Sequence, residues 1–146
     1  QAHVVLLGFH RTGEELLSVI KKMRQSYTII DFNPQVVRHL AQIREPGVYG
    51  DAGDENFLLD LEIEKSKLIL STIPDVIISQ TLLNYLREKR SKAIVIVSAQ
   101  TPLEAQNCYE AGATFVIVPN VLSGKKVSEM LSKNGATKKM WEQHRS

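Results

Sequence analysis

The sequence predicts an α/β protein, a Rossmann-like, doubly wound parallel sheet of six strands in the order 3-2-1-4-5-6. Three observations predict it. Six short runs between residues 3 and 118 are apolar at successive rather than alternating positions, the pattern of strands buried on both faces. Between them lie segments whose apolar residues recur at helical spacing. A strand–helix–strand unit returns the chain to the same edge, so the strands it joins are parallel.

The first strand covers 3–7 and ends at Gly8. Residues 12–24 form a helix, with Leu16, Leu17, Ile20 and Met23 on one face and Glu14, Glu15, Lys21 and Lys22 on the other. The second strand, 27–30, is closed by Asp31. Asn33-Pro34 starts the next helix, with Asn33 as cap and Pro34 in the first turn. Val36, Val37, Leu40 and Ile43 form its expected buried stripe. Val48-Tyr49 is a short third strand, and a short helix over 54–61 follows, capped by Asp54. The fourth strand, 68–70, runs into Ser71-Thr72. A helix over 75–89 is expected to turn Val76, Ile77, Thr81, Leu83 and Leu86 inward. The fifth strand is 93–97. Thr101-Pro102 opens a helix bearing Leu103, Ala105, Gln106 and Tyr109, which Ala111-Gly112 closes. The sixth strand is 114–118, ended by Pro119-Asn120, and a last helix covers 121–132. One domain over 1–132 is therefore expected, with 133–146 a polar, basic tail or the start of a linker.

Composition narrows the function classes. The chain has 146 residues, 43% hydrophobic and 23% charged, which excludes a disordered, collagen-like or coiled-coil chain. A single cysteine, Cys108, leaves no intramolecular disulfide and fits a reducing compartment. Apolar runs are far shorter than the roughly 20 residues that span a bilayer, and no leader fits before the first strand. The net charge of +2 is uneven: −2 over 1–120 and +4 over 121–146. Positive charge is thus expected in the tail rather than on a face of the body, which argues against a nucleic-acid partner.

In such a sheet a ligand sits beyond the carboxyl ends of the strands, where the strand order reverses. Those ends carry Gly8-Phe9-His10-Arg11-Thr12-Gly13, Asp31, Gly50-Asp51-Ala52 and Ser71-Thr72-Ile73. Gly8 suits the tight turn, and Gly13 lets the helix approach the sheet. The helix start offers free N–H groups and positive dipole to a phosphate, with Arg11 and Thr12 adding a charge and a hydroxyl. Asp31, 18 residues past Gly13, suits a ribose diol and repels a 2′-phosphate, which disfavours NADP. Asp31 also suits an Asp-Phe-Asn-Pro turn. Asp51, Ala52, Thr72 and Ile73 are placed to flank a base. His10 stands where a middle glycine usually admits a pyrophosphate. Either a mononucleotide sits there with His10 donating to phosphate, or the turn binds nothing. The four histidines have no metal-ligand spacing, no Gly-x-Ser-x-Gly elbow is present, and no second domain remains to present a substrate. A binding module is expected, not an enzyme. A small NAD- or S-adenosylmethionine-dependent enzyme, or a dimerisation module with a dead pocket, are the alternatives.

At its strand ends the sequence resembles the regulator-of-potassium-conductance (RCK, KTN or TrkA-N) domains. The matching pieces are Val4-Val5-Leu6-Leu7-Gly8 with Arg11 and Gly13, Ile29-Ile30-Asp31-Phe32-Asn33-Pro34, Val48-Tyr49-Gly50-Asp51-Ala52 and Leu70-Ser71-Thr72-Ile73-Pro74-Asp75. The departure is His10. The resemblance implies a regulatory domain at the cytoplasmic face of the membrane. It would bind AMP, ADP, ATP or NAD(H) and gate a potassium channel, K⁺ uptake system or Kef-type cation:proton antiporter. It also implies a homodimer through the edge near the last strands and helices. Carried onto this chain, Gly8, His10, Arg11, Thr12 and Gly13 would hold phosphate, with Phe9 counted among the binding residues of the same turn. Asp31 would hold ribose, Asp51, Ala52, Thr72 and Ile73 would surround the base, and Phe32 and Asn33 are counted among the binding residues beside Asp31. The abrupt start suits a domain that follows a membrane portion.

Overall fold

A computed structural model describes residues 3–118, 124–135, 138–143 and 145. The strands are β1 Val4–Leu7, β2 Tyr27–Asp31, β3 Gly47–Tyr49, β4 Leu68–Ser71, β5 Ile94–Ser98 and β6 Phe115–Ile117. The helices are α1 Arg11–Lys22, α2 Pro34–Gln42, α3 Glu55–Leu61, α4 Val76–Glu88, α5 Pro102–Glu110, α6 Gly124–Asn134 and α7 Lys138–Glu142. All strands pair in parallel in the order β3-β2-β1-β4-β5-β6, as the sequence predicts. In the central register Leu6 lies opposite Ile29 on one side and Leu70 on the other.

Strand side chains alternate between two cores. Val5, Leu7, Ile69, Val95 and Val97 face Leu58, Leu82, Leu83 and Cys108 of α3, α4 and α5. Val4, Leu6, Ile29, Leu70 and Ile96 face Leu16, Ile20, Leu40 and Val127 of α1, α2 and α6. The expected caps Asn33 and Asp54 are in place, and Thr101 caps the helix it was expected to open: each accepts a backbone N–H of the helix it starts, at 2.9, 2.9 and 3.1 Å.

Several expected faces are corrected. In α2 only Leu40 is buried, and Ile43, at the end of the helix, is exposed. In α4 the inward residues are Ser79, Leu82, Leu83, Tyr85 and Leu86, whereas Val76 and Ile77 are exposed. The first turn of α4 starts beyond the carboxyl end of β4, where no strand lies beneath it. Leu103, in the first turn of α5, is exposed for the same reason, and Ala105 and Cys108 take the core. β3 is a three-residue edge with Val48 and Tyr49 partly open. A 3-10 turn at Ile63–Lys65, not foreseen, plugs the core with Ile63 after Glu62 reverses the chain at φ +54°. Pro119-Asn120 and the expected start of the last helix at 121–123 lie outside the described residues.

Beyond residue 132, where sequence suggests a polar tail, the chain packs. Trp141 on α7 is wholly buried, with its ring 5.5 Å from that of Phe115. Its indole N–H donates to the Gly135 carbonyl at 2.9 Å. The Arg145 guanidinium donates to the carbonyls of Thr114 (2.9 Å) and Ala113 (3.1 Å) and lies 4.7 Å above the Tyr109 ring. Among the described residues no helix is long and apolar enough to cross a membrane.

Candidate functional site

The carboxyl ends of β1, β2, β3 and β4 converge because β1 is central and the chain leaves it in both directions. Gly8 turns the chain out of β1 at φ +89°, and a Cβ there would sit 2.5 Å from the Thr72 hydroxyl. Only glycine meets both demands. Gly13 brings α1 against the turn, since its Cβ would lie 2.7 Å from the Gly8 carbonyl oxygen. Thr72 braces the turn from β4: its hydroxyl shares its hydrogen between the carbonyls of Gly8 (2.9 Å) and Leu7 (3.2 Å).

Asp31 ties the turn to β2. One carboxylate oxygen accepts the Phe9 N–H at 2.8 Å, and the other accepts the Asn33 N–H at 2.9 Å. Each oxygen keeps a further lone pair for a ligand hydroxyl. His10 precedes α1 in extended conformation, and its side chain makes no cap bond, so it leaves the first-turn amides of the helix uncapped. Its ring turns instead toward β4, with Nε2 3.1 Å from the Thr72 carbonyl. A carbonyl only accepts, so Nε2 carries the hydrogen.

These groups border a cavity of about 250 Å³ lined by Gly8, His10, Asp31, Phe32, Asp51, Ala52 and Ile73, together with Ile30, Gly50, Pro74 and Ile78. One wall is apolar, formed by Ile30, Ile73 and Ile78. Phe32 is exposed and leans on Tyr49 with ring centroids 5.6 Å apart. Asp51 makes its own turn by accepting the Gly53 N–H at 2.8 Å. The site therefore joins two carboxylates and an apolar wall to a positive helix end. That set can take a base, a sugar diol and a phosphate in sequence.

The remaining predicted residues are not among those that line this cavity. Phe9 is buried in the core and offers only its N–H, which Asp31 holds. Thr72 is buried as the brace, Asn33 is the cap of α2, and Thr12 and Gly13 sit in the first turn of α1. Arg11 begins α1, and its side chain is outside the described set. Ile30, Pro74 and Ile78 were not foreseen as lining. The signal for Ile78 is Asp75, which accepts the N–H groups of Ile77 (2.9 Å) and Ile78 (3.1 Å) and so aims the first turn of α4 at the crevice. No cluster of His, Cys, Asp and Glu among the described residues is arranged to hold a metal ion.

Comparison with known proteins gives this arrangement a family. Over 124 residues the chain is 27% identical to a protein named as a K⁺ efflux antiporter, KefB, of Alkalimonas amylolytica, covering 85% of this chain and 19% of that protein. The chain thus spans about a fifth of the length of that curated relative. The solved TrkA-N domain of the inner membrane protein YbaL of Escherichia coli superposes with a TM-score of 0.74 at 23% identity, covering 82% of this chain and 88% of that one. The GsuK channel bound to NAD gives 0.69 at 18% identity, covering 80% and 21% of the two chains. The Kef C-terminal domain of Shewanella denitrificans in its AMP-bound form gives 0.68 at 18%, covering 96% and 85%. The model of the TrkA-N domain family matches residues 4–119, and since that stretch holds all four strand ends of the crevice, the chain belongs to the TrkA-N domain family.

Proposed function

We propose that this domain is a regulatory module, not a catalyst, that binds an adenine nucleotide in the crevice and thereby gates a membrane transporter of potassium or another cation. The observation that carries this is one cavity that joins the Asp31 carboxylate and an apolar wall to His10, the residue that leads without a side-chain cap into α1. The phosphate lies at the start of α1, the ribose diol on Asp31, and the base between Ile73, Ile78 and Ala52. The solved structures named above with NAD and with AMP support an adenosine ligand.

His10 favours a mononucleotide. Its ring bridges the turn to Thr72 where a dinucleotide's second phosphate would need open backbone. AMP or ADP, with His10 Nε2–H turned from Thr72 to a phosphate oxygen, is the ligand that fits. A nucleotide shifts gating only by as much as it prefers one arrangement of the assembly over another. The assembly proposed is a homodimer through the edge near the last strands and helices, at the cytoplasmic face of the membrane.

Calorimetric titration of the chain with AMP, ADP, ATP, NAD⁺ and NADH tests the reading. Binding of AMP or ADP ahead of NAD(H) is expected, and His10→Gly should narrow the difference. Absence of binding by all five at millimolar concentration overturns it.

A further inference from the structure

At the amino-terminal end of the strands, opposite the crevice, the fold assembles a second feature. A wide cleft of about 820 Å³ opens between the 3-10 turn, the entry to β4, the end of α4, the entry to β5 and the start of α7. Six cations line it, Lys65, Lys67, Lys89, Arg90, Lys92 and Lys138, against one carboxylate, Glu64. All six are exposed. Lys65 is paired with Glu62, and Glu64 is turned to Tyr85, whose hydroxyl donates to it at 3.0 Å. The other five cations make no ion pair among the described residues.

The carboxyl end of α4 accounts for Lys89 and Arg90, because a helix terminus of that polarity attracts cations. It does not account for Lys65, Lys67, Lys92 and Lys138, which arrive from four other segments. Counting charge along the chain misses the cleft, since five of its cations lie in the stretch whose net charge is −2.

We propose that this cleft docks on an anionic phospholipid surface. Five of the six cations are lysines, point charges on flexible stems. They suit a diffuse negative field better than a single carboxylate or phosphate held in a fixed fork. Among the described residues no aromatic side chain lines the cleft, so they offer no stacking platform of the kind a single-strand nucleic-acid site uses. Clusters of four to eight Lys and Arg are of the size that anionic leaflets hold. The chain enters β1 at this same end, where the His3 carbonyl accepts the N–H groups of Lys67 (2.8 Å) and Leu68 (3.1 Å). The inference rests on the proposed membrane partner, which places a leaflet within reach. The crevice lies at the other end of four-residue strands, roughly 13 Å away, so nucleotide and leaflet can be engaged together.

The test sediments the 146-residue chain with vesicles of phosphatidylcholine alone and of phosphatidylcholine mixed with phosphatidylglycerol. Binding to the mixed vesicles only, weakened by salt, is expected. The variant Lys67→Gln/Lys89→Gln/Lys92→Gln should bind about a hundredfold more weakly, at about fivefold per cation. Arginine at the same three positions should retain binding. Equal binding to both vesicles overturns the proposal, as does an unimpaired glutamine variant. Capture of heparin or polyglutamate without vesicle binding also overturns it. AMP titration of the same proteins separates the two readings. A chain that binds mixed vesicles but no nucleotide overturns the proposed function alone, and one that binds AMP but no vesicle overturns the docking surface alone.

Discussion

Replacing Asp31 separates the anchoring that its carboxylate performs from the ribose contact proposed for it. The Phe9 N–H that it accepts at 2.8 Å belongs to a residue only 7% exposed, so in Asp31→Ala that donor has little access to water. Leaving such a group unpaired costs about 1–3 kcal/mol. The Asn33 N–H is on the surface and regains water, adding little. The sum is about 2 kcal/mol, or a fall in Tm of about 4–8 °C for a chain of this size. Asp31→Asn keeps one acceptor oxygen; if it faces Phe9, the loss is about 1 kcal/mol. The ligand arm runs the other way. Asn keeps the shape but loses the charge on a ribose hydroxyl, a bond worth about 1.5–3 kcal/mol, so AMP affinity should drop about 10- to 100-fold. Thermal unfolding followed by far-UV circular dichroism, with and without AMP, reads both. An Asp31→Ala protein with unchanged Tm refutes the anchoring role. An Asp31→Asn protein with unchanged AMP stabilisation refutes the ribose role.

Gly8→Ala should destabilise by about 3 kcal/mol in denaturant unfolding, from the +89° φ and the 2.5 Å clash with the Thr72 hydroxyl. Adding Thr72→Ala should recover part of that loss, and strict additivity would refute the clash. Trp141→Ala should cost about 3–5 kcal/mol as a buried aromatic truncation. In the unaltered chain the fluorescence of its lone tryptophan should change at the same midpoint as circular dichroism; an earlier transition would show α7 detaching by itself. The Lys21 ammonium and the Tyr27 hydroxyl hold the Glu45 carboxyl below its ordinary pKa. The stability this gives is complete above the unfolded carboxylate range, near 4.3, and is lost as pH falls through the depressed folded value. Glu45→Gln should therefore flatten the acid limb of the stability profile, by on the order of 1 kcal/mol because Lys21 is half-exposed and screened. Burial and the bond to Glu45 push Tyr27 up to about 12, so stability should also decline at alkaline pH as that group ionises. A Tyr27→Phe protein with the same alkaline limb would refute that assignment.

What was legible in the sequence is local in origin. The parallel sheet followed from continuous apolar runs separated by helical segments, its order from the common doubly wound arrangement, and the caps at Asn33 and Asp54 and the helix start at Thr101 from side chains that reach only two or three residues ahead. Gly8 and Gly13 were legible because the turn into α1 admits no Cβ at either position. The illegible features depend on which distant segments the topology joins. Trp141 sits in a polar, basic stretch and reads as tail until Phe115, 26 residues earlier, supplies the surface that covers it. Val76 and Ile77 have the spacing of a buried stripe, but their turn overhangs the end of the sheet. The basic cleft gathers residues 65–92 with Lys138, a juxtaposition that no window along the chain contains.

Asp31 shows how a residue read for one role carries another. An acid at the end of the second strand suggests a grip on a sugar, or a turn of its own. In the structure the carboxylate accepts amides from both Phe9 and Asn33, so it sets the glycine turn and the start of α2 before any ligand arrives. The two uses are compatible because each oxygen accepts a second hydrogen bond. They would also be coupled, since a sugar drawing on Asp31 would pull on the turn that leads into α1. His10 closes the same circuit from β4 through the Thr72 carbonyl. A nucleotide here would engage β1, β2 and β4 together, and strand ends tied this way respond as one unit rather than as four independent loops.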